Sequence, residues 1–175
     1  TLSSSSAASD VYKRQDPGKY WLIGRIAYDL SFGKYLNKAL TGAMLSLQSK
    51  TARALVLDLD NTLWGGIIGE DGLQGIQLGG DFPGNAFTRF QHVVKSLSRR
   101  GIVLTLCSKN TEEVALEAIR KHPGMVLHQD DFIVKKINWG DKAHNIREIS
   151  QELGLGLGSL CFIDDSPYER ENVRI

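Results

Sequence analysis

At residues 55–66 the chain reads "LVLDLDNTLWGG", and its fold follows from how that run ends. The opening is apolar and uninterrupted, and with Ala54 it makes "ALVL" (54–57) a short strand buried on both faces. It drives straight into Asp58 and Asp60, with Leu59 between them. Beyond a strand end, that spacing lets both carboxylates reach one cavity while Leu59 packs back. Two neighbouring carboxylates repel, so either one keeps its proton or a cation holds the pair. Gly65 and Gly66 then allow backbone conformations closed to other residues.

Downstream, strands and helices alternate. "NAFTRFQHVVKSLSRR" (85–100) puts Phe87, Phe90, Val94 and Leu97 on one helical face, with Asn85 at the N-cap. "GIVLTLC" (101–107) is a second strand, opened by a glycine that suits the preceding helix stop. "NTEEVALEAIRK" (110–121) begins with an Asn-x-x-Glu capping pattern and stacks Val114, Ala115, Ala118 and Ile119. "MVL" (125–127) reads as a short strand, "DKAHNIREISQEL" (141–153) as a helix with Ile146, Ile149 and Leu153 inside, and "SLCFI" (159–163) as the last strand. Such an order describes an α/β protein with a parallel sheet covered on both faces. The sequence stops at Ile175, inside what reads as the next helix, and one more strand is expected after it, so the domain is expected to be incomplete at its C-terminus.

Three strands end in polar groups: Asp58, Ser108, and the pair Asp164 and Asp165. Ligands bind at the carboxyl ends of strands in open parallel sheets, so these groups are expected in one crevice. Asp165 adds a third carboxylate to the first two. A hard divalent cation with oxygen ligands, most simply Mg²⁺, relieves the repulsion and also neutralises a phosphate. By contrast "GLGLG" (154–158) precedes a strand instead of following one, so it is a loop and no dinucleotide fingerprint. The four histidines show no metal-ligand spacing.

The residues also carry a family likeness. "DLDNT" (58–62) matches the Asp-x-Asp-x-Thr signature of the haloacid dehalogenase superfamily, and Ser108, Lys142 and Asp164-Asp165 follow in that family's order. The chain resembles FkbH-like domains, phosphatases of subfamily IIIC type, more closely still. That likeness lies in "LVLDLDNTLWGGIIGEDG", "CSKN", "DDFIVKKINWGDKAHNI" and "FIDDSPYERENVR", and spans residues 54–174. It implies a Rossmannoid three-layer sandwich with a short flap and no large cap domain, and phosphoryl transfer through a phospho-aspartate.

The resemblance implies roles as well. Asp58 is the nucleophile and a metal ligand. Asp60 lends its main-chain carbonyl to the metal, while its side chain protonates the leaving group and then activates water. Ser108 holds a phosphoryl oxygen, and Lys142 pairs with Asp58 and the transferring group. Asp165 binds the metal directly, with Asp164 behind it or paired with Lys142. Lys135 and Lys136 compete with Lys142, which is better placed because its helix starts near the crevice mouth. Thr62, Trp64, Cys107, Lys109 and Asn110 complete the set facing the substrate. Trp64 could equally be a core aromatic, and Lys109 a solvated lysine.

Between the signature and the next helix, residues 63–84 are too few for a folded cap. "GGIIGEDG" alternates like a hairpin with Gly72 at its turn, a flap beside an open site suited to a substrate on a larger partner. FkbH-like proteins are associated with loading a glyceryl unit from a phosphorylated glycerate onto an acyl carrier protein in polyketide pathways. Cys107 could carry the acyl group there, against the simpler reading of a small buried residue. Cys161 is expected in the core. On strands flanking the first, the two cysteines would lie about 9–10 Å apart, too far for a disulfide. Two alternatives stand beside this function: a general phosphatase for a small metabolite or phosphoprotein, and a carrier-docking module without turnover.

Bulk properties exclude more than they indicate. The chain has 21 basic and 20 acidic residues, and Lys13 and Arg14 against Asp10 account for the excess. No basic stripe argues for nucleic acid, and no apolar run is long enough for a membrane span. Two cysteines make no disulfide framework, so a cytoplasmic enzyme or binding domain is expected. The opening "TLSSSSAASDVYKRQ" (1–15) reads as a translated adapter and no part of the fold. Residues 16–52, with a helix over roughly 33–48, read as a lead-in from an upstream domain, and 53–175 as the FkbH-like domain.

Overall fold

The computed structural model describes Thr41 and residues 52–174. The chain divides into two compact units, Thr1–Thr51 and Ala52–Ile175, and the fold below is that of the second. The adapter, the lead-in and its helix over 33–48 lie outside the described residues, Thr41 and Ala52 apart.

The expected strand at the signature is present as β1 (Ala54–Leu57), with every residue buried. It pairs in parallel with β2 (Val103–Ser108) on one side and β4 (Leu160–Ile163) on the other. β3 (Phe132–Ile137) lies beyond β2, giving the order β3-β2-β1-β4. Leu57 stands opposite both Leu106 and Ile163. The next residue on each strand, Asp58, Cys107 and Asp164, is therefore at one level along the sheet's carboxyl edge.

Among the described residues four α-helices connect these strands, α1 (Ile68–Gly75), α2 (Gly84–Arg99), α3 (Glu112–Lys121) and α4 (Lys142–Leu153), and α5 (Pro167–Val173) follows β4. Alternate residues of a strand point to opposite faces. Leu55, Leu57, Leu104 and Leu106 accordingly join Val94 of α2 and Ala115, Ala118 and Ile119 of α3 in one core. Val56, Cys107 and Val134 join Ile146 and Ile149 of α4 in the other. Helices on both faces of a parallel sheet make the three layers expected from the sequence.

Several elements differ from the sequence reading. The segment 125–127 is not a strand, because its amides are taken elsewhere: Oε1 of the buried Gln91 accepts from Val126 N–H at 2.9 Å and Leu127 N–H at 3.2 Å. The third strand is instead "FIVKKI" (132–137), whose alternation is hidden by two lysines. Lys136 reaches Glu148 and Glu152 of α4 at 3.0 and 2.5 Å, and Lys135 donates to the Phe132 carbonyl. α2 starts at Gly84 with Pro83 in the cap position, so Asn85 is no cap. α3 starts after Thr111, because the Asn110 side chain is used in the crevice.

The flap is helical where a hairpin was expected. Its base is closed by an antiparallel bridge between Gly65 and Gln77, and α1 lies between them. Asp71 Oδ2 accepts from Ile67 N–H at 2.7 Å, and Asp60 Oδ1 from Ile68 N–H at 3.0 Å. These bonds satisfy amides that a helix start leaves open. Gly72, at φ 65°, breaks the helix where the alternating pattern suggested a turn.

Candidate active site

Asp58 lies at the end of β1 and is only 6% exposed. Lys142, the first residue of α4, places its ammonium 3.0 Å from Asp58 Oδ2 and 2.6 Å from Asp164 Oδ2. Asp141 fixes that helix start by accepting the His144 N–H at 2.9 Å. Ser108, buried at the end of β2, works to lower the Asp58 carboxyl. Asp164 is fully engaged, because its Oδ1 accepts the Ser166 N–H at 2.8 Å. Asp165 is exposed and lines the same pocket as Asp58 and Ser108.

Within the Asp58–Lys142–Asp164 cluster, one buried carboxylate oxygen has no donor. Asp58 Oδ1 is buried and makes no hydrogen bond, an arrangement that costs the full desolvation of the atom unless something occupies the space beside it. Donor oxygens of Asp58, Asp164 and Asp165 all lie within 4.8 Å of one another. Three carboxylates face one ammonium, so the cluster carries excess negative charge. Burial pushes the Asp58 carboxyl above its ordinary value, against the pull of Lys142 and the Ser108 hydrogen bond. Burial alone would lower the Lys142 ammonium, but Asp58 and Asp164 outweigh it and hold it above the ordinary lysine value. An oxygen-only donor set with an unpartnered buried carboxylate oxygen suits a hard divalent cation.

Asp60 is held by three donors. Its Oδ1 accepts from Trp64 Nε1 at 2.9 Å and from Ile68 N–H, and its Oδ2 accepts from Asn110 Nδ2 at 2.8 Å. The turn that brings these groups round depends on Asn61, in the left-handed region at φ 53°, whose Oδ1 accepts from Gly66 N–H at 2.8 Å.

An open pocket of about 610 Å³ gathers Asp58, Asp60, Ser108, Lys109, Asn110, Lys142 and Asp165. Lys109 points to α5, where its ammonium meets Glu169 at 2.6 Å. Three residues assigned to the substrate are placed otherwise. Trp64 is 0% exposed and packs in the core, so it steadies Asp60 and cannot line the site. Thr62 is buried and borders a smaller neighbouring pocket of about 310 Å³. Cys107 points to the α4 face of the sheet, with Sγ 3.8 Å from the Lys142 carbonyl. Burial pushes its thiol up to about 12, so a thiolate for acyl transfer is not available there. Cys161, expected in the core, is exposed: it stands opposite Leu55 on β4, at the edge of the sheet. Both cysteines are free.

Sequence reasoning missed Trp139. It was legible only as a letter inside a long matching string, yet it is 73% exposed and lines the pocket with Ile67 and Val114. Its one local signal was a tryptophan just ahead of the cap of the lysine-bearing helix.

No helix among the described residues is long and apolar enough to cross a membrane. Neither a family model nor a curated protein sequence matches this chain. Among solved structures, it is similar to the N-terminal part of the protein BF1531 from Bacteroides fragilis, a part containing a phosphatase domain complexed with Mg. The two share 39% identity at a TM-score of 0.76, over 99% of this chain and 46% of that one. The chain thus spans about half the length of that relative. The four-stranded parallel sheet with its helices on both faces is the architecture of a haloacid-dehalogenase-like phosphatase domain.

Proposed function

We propose that this unit is an Mg²⁺-dependent phosphatase that works through an aspartyl-phosphate on Asp58. The observation that carries the reading is the buried, unpartnered Oδ1 of Asp58 beside Lys142, Asp164 and Asp165. The likeness to a phosphatase domain complexed with Mg supports it. Asp58, Asp165 and the Asp60 main-chain carbonyl would hold Mg²⁺, with Asp164 behind them. The ion supplies positive charge that lets clustered carboxylates stay ionised beside a phosphate.

The chain's own groups then divide the work. The Asp58 carboxylate attacks phosphorus, and the bond from phosphorus to the leaving oxygen breaks. Asp60 gives a proton to that oxygen and later takes one from the water that cleaves the aspartyl-phosphate. Trp64, Ile68 and Asn110 keep its carboxylate in place. Lys142 and Ser108 stabilise charge on the phosphoryl oxygens. The pocket that gathers these groups supports turnover over a docking role.

A finer reading rests on the sequence resemblance. The substrate is a phosphorylated glycerate activated as an acyl phosphate: its ester phosphoryl group passes to Asp58, while the thiol of an acyl carrier protein attacks the acyl carbonyl, the carbon–oxygen bond breaks and phosphate leaves, in polyketide-type biosynthesis in the cytoplasm. The buried Cys107 takes no part, so the carrier's own thiol receives the acyl group directly. Phosphate release from acetyl phosphate and phosphoglycerates, with Mg²⁺ and then with EDTA, tests the coarser reading. Release that stops with the chelator and returns with Mg²⁺ is expected. Equal release in EDTA contradicts it, as does failure of the protein to bind beryllofluoride with Mg²⁺. A mass increase on a pantetheinylated carrier protein is the result expected of the finer one.

A further inference from the structure

The floor of the pocket is charged, but its mouth is not. Ile67 at the start of the flap, Val114 on α3 and Trp139 in the β3–α4 connection come from three separate elements. They are 40%, 37% and 73% exposed, and all three line the cavity that holds Asp58. Scattered exposed apolar residues need no explanation, whereas a convergent set around a polar centre does.

Trp139 is also held in place. Asn138, just before it, donates its N–H to the Ser108 carbonyl at 3.1 Å, which ties the connection to a strand of the active site. The Asn138 side chain exchanges hydrogen bonds with the buried Asn145 of α4, at 3.0 and 3.3 Å. Its Oδ1 also accepts the Gly140 N–H at 2.8 Å. A Cβ at Gly140 would lie 2.8 Å from that oxygen, so the turn requires glycine. The flanks of the indole are therefore fixed while the indole faces water.

We propose that Trp139 is a specificity-determining residue: with Ile67 and Val114 it binds an apolar or planar group joined to the phosphoryl group through the leaving oxygen. The proposal rests on the coarser phosphatase reading for its site, names the class of leaving group, and stands against the phosphorylated glycerate of the finer reading. A cavity of about 610 Å³ falls among those that enclose drug-sized ligands, about 300–1,000 Å³. A small polar organic part would leave the apolar mouth wet, whereas a planar or apolar one covers it and gains stacking on the indole face.

Binding of two phosphonates, which cannot be hydrolysed, separates the subsite from the chemistry. Calorimetry of the full chain with Mg²⁺ should find phenylphosphonate about 5- to 10-fold tighter than methylphosphonate. The ratio should fall towards one in Trp139→Ala and return in Trp139→Phe. In turnover, Trp139→Ala should raise KM for p-nitrophenyl phosphate by a similar factor, with kcat and the KM for acetyl phosphate within about twofold. A phosphonate ratio unchanged by Trp139→Ala, or no binding of either phosphonate, overturns the proposal. A ratio that behaves as expected in a protein that hydrolyses nothing keeps the subsite and overturns the phosphatase reading instead.

Discussion

At the floor of the crevice, Asp58, Ser108, Lys142 and Asp164 are all buried, while at its mouth Trp139 and Ile67 stand in solvent. The floor is polar and sits on strand ends and the first turn of a helix, where backbone hydrogen bonds fix each Cα. The mouth is apolar and sits on connections, fixed by side-chain caps such as Asn138 and Asp71. The floor pays for its position with buried charge held by a single lysine. The mouth gives up the burial of an indole. A site that must both stabilise charge and choose a leaving group separates the two tasks in space.

The largest effect should come from the floor. Asp58→Asn should lower phosphate release by about 10⁴-fold or more with the circular dichroism spectrum unchanged. Turnover near the wild-type rate would remove Asp58 from the nucleophile role. Lys142→Met leaves Asp58 and Asp164 without their counter-charge. It should destabilise the metal-free unit by about 3 kcal/mol in urea unfolding at neutral pH. That loss should shrink as pH falls and the carboxylates take up protons. A stability equal to wild type would mean that the buried ion triad is not formed.

Asp58 also sets a pH dependence in metal-free protein. Burial raises its folded pKa above 3.8, so the fold binds the proton more tightly than the unfolded chain. The associated stability is complete below 3.8 and is lost as pH rises through the folded value. Metal-free wild type should therefore lose stability against Asp58→Asn across that window, and Mg²⁺ should restore it in wild type alone. A constant difference between the two proteins from acid to neutral pH would contradict this assignment.

Smaller effects belong to groups outside the comparison and calibrate it. Cys107→Ala should cost about 1 kcal/mol through a small cavity while kcat stays within twofold, because the thiol packs under α4 and touches no substrate. Loss of turnover there would return the acyl-carrying role to Cys107. Asp131 accepts hydrogen bonds from Lys95 and the His128 N–H. Partial burial works to raise its pKa, but these partners prevail and lower it. Its contribution is present above the ordinary value of 3.8 and is lost as pH falls through the folded one. Asp131→Asn should cost at most about 1 kcal/mol at neutral pH, a difference that vanishes in strong acid.

The floor was legible because its residues stand at the ends of short apolar strands or at the start of a helix. "ALVL" before Asp58 and "CFI" before Asp164 announce strands, and a strand end announces a site. The capped helix start at Asp141 placed Lys142. Trp64 misled because an aromatic beside a signature looks like a wall of the site, and only packing shows it in the core. β3 was hidden because Lys135 and Lys136 interrupt its alternation and find partners on α4 and on β3 itself. The flap was misread because Asp60, outside the pattern being counted, and Asp71, within it, turn their side chains onto the first amides of a helix. The mouth was illegible for the same reason: Ile67, Val114 and Trp139 meet only after three elements have been folded together.

The central claim is a covalent phosphoryl group on one carboxylate, and chemical trapping reads it directly. Protein turning over acetyl phosphate with Mg²⁺ is quenched in borohydride, which reduces an aspartyl-phosphate to homoserine, and its peptides are sequenced by mass spectrometry. Homoserine at position 58, absent when Mg²⁺ is withheld, is the expected result. Steady turnover with aspartate intact at 58, or with the reduction at Asp60, Asp164 or Asp165, would contradict the account.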